Sequence, residues 1–207
     1  MKNTLVTAAV VAFLSATADA ALLQYTMTGT GAAGSVGGTA FTNGTVTVSW
    51  TYDTASSDGF DFFANSNLTY ERLVVSPSFS ISSAAGNWSG SLVLGLGVQQ
   101  WQAISLGSPA ASPTISQIIM NGTNSSSPVV QFGLAASDAS LRIGMRAPAS
   151  VSGAFVASAG AFAASFGTVS FDDTVVGSGT FTIVEIPAPG AAALALGAGL
   201  VSRRRRR

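Results

Sequence analysis

The chain of 207 residues contains no cysteine and no histidine, and its one lysine is Lys2. Each absence removes a class of chemistry. Without cysteine no disulfide can brace the fold, so stability must come from a packed core and hydrogen bonds. Zinc and copper centres lose their customary ligands. The same gaps remove Ser-His-Asp and Cys-His nucleophiles, and a Ser-Lys pair has no lysine beyond Lys2 to draw on. Chemistry that needs only oxygen survives: two carboxylates can hydrolyse a glycoside, and carboxylates with carbonyls can hold calcium.

Charge is also scarce, at 9% of residues, with nine positive against nine negative side chains. That balance comes from the two ends, which hold Lys2 and Arg203–Arg207. Between Ala21 and Ile186, Arg72, Arg142 and Arg146 face eight carboxylates, a net of −5. A nucleic-acid binder needs cations to displace counterions along phosphates, so nucleic acid is excluded as a partner of this body.

Both ends have the form of addresses. Lys2 is followed by an apolar stretch from Leu5 to Leu14 and by Ala18-Asp19-Ala20. A positive start, a short apolar region and a small-x-small cleavage site make residues 1–20 a signal peptide. Cleavage, set by Ala18 and Ala20, then leaves Ala21 as the mature start. The apolar stretch is too short to cross a hydrocarbon core of ~30 Å, which argues against a permanent anchor. At the other end, Pro187-Ala188-Pro189 leads into an apolar run, Gly190–Val201, closed by Arg203, Arg204, Arg205, Arg206 and Arg207. As a helix that run rises ~18 Å, short of a stable span. The arginines should stay on the cytoplasmic side, with the body outside and the tail weakly held.

This three-part layout of residues 187–207 resembles the PEP-CTERM sorting signal of Gram-negative bacteria. The triplet departs from the usual form in its middle residue, Ala188, where the family generally has glutamate; Glu185 lies just upstream. The resemblance implies recognition and processing by a membrane-embedded exosortase after signal peptidase has acted. It also implies transient association with the inner membrane and a final place at the cell surface or in the extracellular matrix, often alongside exopolysaccharide. A nuclear-type or RNA-binding tail is the competing reading, which the apolar run and the signal peptide oppose.

The body, residues 21–186, is long enough for one domain with a core of its own. Its apolar positions alternate. Val46, Val48, Trp50 and Tyr52 fall on one face of a strand, with Thr45, Thr47, Ser49 and Thr51 on the other. Leu23, Tyr25 and Met27 mark a first strand, joined to it through Gly29–Gly38 as a loose turn or a glycine-rich strand, with Asn43-Gly44 as a hairpin turn. Asp53–Asp61 reads as a polar loop, and Phe62–Ser76 as a helical turn or a strand. Strands follow at Phe79–Ile81, Trp88–Leu96, Val98–Leu106, Ile115–Met120, Val129–Leu134 and Leu141–Met145, with Gly86-Asn87 and Asn121-Gly122 as turns. Val151–Phe166 fits a helix or a strand pair; Gly153 and Gly160 favour the pair. Gly167–Phe171 and Gly179–Ile186 close the body around a turn at Asp172–Ser178. The expected fold is all-β, a single antiparallel β-sandwich of jelly-roll type, with a short membrane-engaging helix behind it.

Three constellations qualify as candidate sites. Trp88, Trp101 and Tyr70 offer apolar faces on which sugar rings can lie, or else fill the core as Trp50 does. Asp53, Asp58 and Asp61 lie in an oxygen-rich loop that fits calcium or plain solvation; their spacing is not that of the twelve-residue calcium loop. Asp172 and Asp173 are adjacent, so on a strand they point apart and cannot act as a facing pair; a partner such as Asp138 or Glu71 could come from elsewhere in space, and nothing in the sequence marks one. Five Asn-x-Ser/Thr sites, at Asn43, Asn67, Asn87, Asn121 and Asn124, accord with polar turns. The sequence thus reads as a non-enzymatic surface or matrix protein without a cofactor. Retention of extracellular polysaccharide is the alternative role, and a carboxylate hydrolase the third.

Overall fold

The structure, a computed structural model, describes residues 22–53, 59–64, 67–74, 76–95, 100–109, 115–124, 127–138, 148–157, 160–172 and 175–186. Every regular element among them is a strand: β1 (Leu22–Val36), β2 (Thr39–Asp53), β3 (Gly59–Ala64), β4 (Asn67–Val74), β5 (Ser78–Ser83), β6 (Gly86–Ser91) and β7 (Gln100–Pro109). They continue as β8 (Ile115–Asn124), β9 (Ser127–Asp138), β10 (Ala149–Ala157), β11 (Gly160–Ala164), β12 (Gly167–Phe171) and β13 (Val175–Ile186). The all-β expectation holds for the described residues.

These strands form one antiparallel sheet in the order β3-β4-β7-β8-β9-β10-β13-β1-β2-β5-β6, curled into a half-barrel. β1 is its hub. Its first half pairs with β13 from Leu22↔Ile186 to Gly29↔Gly179, and its last residues pair with β12. Beyond β6 the chain bridges to β11 through Leu92↔Ala164, supported by Val93 N–H to Ala163 O at 3.1 Å and Ser165 N–H to Ser91 O at 2.8 Å. Because β11 pairs with β12 and β12 with β1, this seam closes a ring of β1, β2, β5, β6, β11 and β12.

Alternation dictates which face is buried. Leu23, Tyr25, Met27, Val46, Val48, Trp50, Phe79, Ile81, Phe181 and Ile183 all point inward and are buried. Burying a side chain of this size stabilises by roughly 1.5–3 kcal/mol, which sets the register wherever one face is covered. Two aromatic groups dominate. Tyr25 and Trp50, direct cross-strand partners, stack at 5.5 Å with 4° between planes, and Phe181 lies 6.1 Å from Trp50. Phe132 of β9 reaches across to Phe79, Phe162 and Phe171, with centroids at 5.6, 5.8 and 6.0 Å.

Several local expectations change. Asn43-Gly44 is not a turn: it lies inside β2 opposite Ala32, where the register shifts and Asn43 takes φ 51°. The turn is Gly37-Gly38, with φ 54° and 86°, the positive pair that a two-residue hairpin requires. The next turn falls on Ala84-Ala85, and Gly86-Asn87 belongs to β6. Asn121-Gly122 sits within β8. Phe62–Ser76 is divided between β3 and β4, and Val175–Ser178 extends β13 rather than forming a turn. Val151–Phe166 holds two strands, but they do not pair with each other; β10 lies between β9 and β13, and β11 against β12. Leu141–Met145 and the apolar run Gly190–Val201 lie outside the described residues.

Candidate functional site

The addresses themselves, residues 1–20 and 187–207, lie outside the described residues, so the structure bears on them only through where the body meets them. Leu22 and Ile186 are direct partners in the β1–β13 ladder, so the first and last described residues are adjacent at one corner of the sheet. The outer face there is mixed: Leu22 is 40% exposed, Val184 56% and Ile186 half-buried, beside exposed Asp53 and Gln24, the cross-strand partners of Leu22 and Val184. Among the described residues no helix is long and apolar enough to cross a membrane.

The aromatic candidates are not gathered on one strand pair. Trp88 is paired with Ile81 on the inner face, partly buried, with its ring 6.1 Å from Phe41. It is used as core. Tyr70 on β4 pairs with Ser105, and Trp101 on β7 with Val74, on neighbouring strands in the other arm of the sheet. Trp50 fills the core, as its alternation requires.

The acidic candidates are likewise spread. Asp53 ends β2 on an exposed position, Asp61 pairs with Tyr70 on β3, and Asp58 lies outside the described residues. Asp172 is exposed after β12, its backbone N–H donating to Ala33 O at 3.1 Å; Asp173 is outside the described residues. Asp138 ends β9 opposite Ile115, and Glu71 pairs with Ile104. No group of three His, Cys, Asp or Glu side chains that could hold a metal occurs among the described residues.

The register creates a different surface, on the outer face of the same strands whose inner face is core. Ser152, Thr180, Thr28, Thr47, Ser80 and Ser89 are successive cross-strand partners over β10, β13, β1, β2, β5 and β6. Two residues along, Ser150, Thr182, Thr26, Ser49, Ser78 and Ser91 make a second row over the same six strands. Ser150, Ser152, Thr180, Ser78 and Ser89 are exposed and the others half-buried. Neither row contains a charged, aromatic or aliphatic residue. Thr28 and Thr47 share a hydrogen bond at 3.3 Å, the one side-chain bond within the rows among the described residues. An open depression of about 310 Å³, lined by Thr47, Ser49, Ser78, Ser80 and Ser89 together with Phe79 and Gly90, lies at their β2–β5–β6 end.

Individual strands advertise this face, since Thr47 and Ser49 alternate with Val46 and Val48. The rows themselves exist only once six strands are in register. Comparison with protein families, with curated proteins and with solved structures gives no match.

Proposed function

We propose that the protein is an exported structural or interaction protein of a bacterial cell surface or extracellular matrix, and not an enzyme. It is delivered through a signal peptide at residues 1–20 and a sorting tail at 187–207. An exosortase-like enzyme processes the tail during a transient stay at the inner membrane. The observation that carries this reading is the Leu22–Ile186 pair. With its first and last strands ending at one corner, the body can stay close to the membrane there, first behind the signal peptide and, once that is cleaved, through the tail alone, while the rest of the sheet projects away. The exposed Leu22 and Val184 at that corner suit an interfacial position. Deficits in histidine, cysteine and lysine weigh against catalysis for the reasons given above.

In this reading the two arms of the curled sheet serve as the layers of a jelly-roll-like sandwich. The packing of Phe132 on β9 across to Phe79 on β5 supports that description. The apolar run Gly190–Val201 acts as a short helix held by Arg203–Arg207.

The test is a chain ending at Ile186, expressed beside the full precursor and followed by cell fractionation. The full precursor should be retained at the surface and the truncated chain lost to the medium or periplasm. Equal surface retention of the two would refute the sorting role of residues 187–207.

A further inference from the structure

We propose that the two hydroxyl rows bind a neutral, hydroxyl-rich polysaccharide chain. The proposal rests on the surface-and-matrix reading for the presence of such a polymer, whereas the face itself rests on the sheet register alone.

Charge complementarity selects the occupant. The rows contain no cation, and the body between Ala21 and Ile186 carries a net of −5. A carboxylated or sulfated polymer would meet no counter-charge there and a repulsive field around it. An acidic or basic protein partner would find no ion to pair with. Hydroxyls, in contrast, both donate and accept, as sugar hydroxyls do, so either polarity of contact can be satisfied. Apart from the Thr28–Thr47 bond, the row hydroxyls have no side-chain partner within the rows among the described residues, leaving them for water or a ligand.

Shape narrows the choice further. Six strands at ~4.8 Å spacing make a row of about 24 Å, and positions two apart along a strand give a row separation of roughly 6.8 Å. Neighbouring strands also rotate by roughly 20–25°, so over six strands the face is a twisted ribbon and not a plane. A flat crystalline surface could touch only a few of its hydroxyls, whereas a single flexible chain can follow it. The depression beside Ser80 and Ser89 gives that chain a seat at one end. With Trp88 turned inward, hydrogen bonds replace ring stacking as the mode of recognition. Each exchange of a bound water for a sugar hydroxyl gains little, so affinity must come from many contacts along one polymer.

The experiment is affinity electrophoresis of the full-length protein in mild detergent. The gels contain dextran, a galactomannan, an unsubstituted β-glucan, or the carboxymethylated form of that β-glucan. At least one neutral polymer should retard the protein, and the carboxymethylated glucan should retard it less than its parent. Thr26→Val with Thr182→Val keeps the β-branched shape and removes two hydroxyls from adjacent strands; Ser80→Ala with Ser89→Ala empties the end with the depression. Each pair should weaken retention about tenfold, with an unchanged thermal midpoint. No retardation by any neutral polymer, unchanged retention in both variants, or stronger retention on the carboxymethylated glucan would overturn the proposal. Fractionation of the same cells separates the two readings. Protein at the surface that no polymer retards sinks the polysaccharide proposal alone, whereas protein that never leaves the cytoplasm sinks the surface reading whatever the gels show.

Discussion

Replacing Gly29 by alanine tests how the core beneath the hydroxyl face is built. Gly153, Gly179 and Gly29 are cross-strand partners on β10, β13 and β1, so three adjacent strands present no side chain on the inner face. Phe155, fully buried, lies in the resulting trough. A Cβ at Gly29 would fall on the Cγ, Cδ1 and Cε1 atoms of that ring, and one at Gly179 would come within 2.9 Å of both Phe155 Cβ and Leu134 Cδ1. Gly29 does not adopt a positive φ, so alanine suffers no backbone strain and the whole penalty is steric. Stiffening the unfolded chain returns about 0.4–1 kcal/mol. Overpacking costs about 1–3 kcal/mol, and a ring struck at three atoms with no solvent-facing side belongs at the upper end. The net expectation is a loss of about 2 kcal/mol, or roughly 4–8 °C in Tm for a domain of this size. Phe155→Ala should cost about 3–5 kcal/mol through its cavity. In the double variant the methyl at position 29 occupies part of that cavity, so the combined loss should fall short of the sum by about 1–3 kcal/mol. Urea midpoints followed by far-UV circular dichroism give all the corners of this cycle. A neutral or stabilising Gly29→Ala, or strict additivity in the double variant, would refute the trough as the reason for these glycines.

At the Gly37-Gly38 turn the reasoning reverses: a Cβ at either position meets nothing within 4 Å, while φ is 54° and 86°. Gly37→Ala should therefore cost about 1–2 kcal/mol in backbone conformation alone, and Gly37→Asn should recover most of it, as read from urea midpoints. Phe162 is fully buried and lies 5.5 Å from Phe79 and 5.9 Å from Phe171 by ring centroids. Phe162→Ala should lower stability by about 3–5 kcal/mol, and a loss under 1 kcal/mol would mean that the aromatic cluster is not a packing unit. Trp88→Ala should destabilise by about 2 kcal/mol because the ring rests on Phe41; a thermal midpoint equal to the parent's would return Trp88 to the role of a surface residue.

What was legible in the sequence is what depends on local periodicity. Val46, Val48, Trp50 and Tyr52 alternate with hydroxyls, and a period of two has no other regular interpretation. Turn chemistry was less decisive because two dipeptides competed. Asn43-Gly44 and Gly37-Gly38 can each supply positive φ, and the pairing of Val36 with Thr39 gives the turn to the glycines, leaving Asn43 to an irregularity inside β2. Phe155, Ala159, Phe162 and Phe166 mimic a helical face, yet Phe155 and Phe162 belong to strands in different ladders. Nothing in a window of sixteen residues carries that information. The hydroxyl rows were hidden for the same reason. Serine and threonine on one strand are an ordinary solvent face, and only the register of six strands aligns them. Trp88 suits a sugar platform or the core equally well in sequence, and only its pairing with Ile81 turns it inward.

The hub position of β1 has a consequence for how the domain closes. Its pairing with β2 is a local hairpin, but its pairing with β13 joins Leu22 to Ile186, across nearly the whole described chain. Loop-closure entropy grows as (3/2)RT ln n, so closing Leu22 on Ile186, about five times farther along the chain than its β2 partner Asp53, costs about 1.5 kcal/mol more unless intervening strands have already folded. The β13 edge of β1 should therefore stay open until late. Open edges invite pairing with other chains, and the β1–β13 ladder over Leu22–Gly29 is regular, without a bulge to blunt that edge. A chain ending before Val175 keeps β1 and β2 but lacks the partner of Leu22–Gly29, and it uncovers Tyr25 and Trp50 by removing Phe181. Such a chain should lose its cooperative urea transition and associate in a concentration-dependent way during sedimentation. A monomeric, cooperatively unfolding product would show that β1 does not need β13, and that the corner joining residues 22 and 186 is an accessory to the fold rather than its closing step.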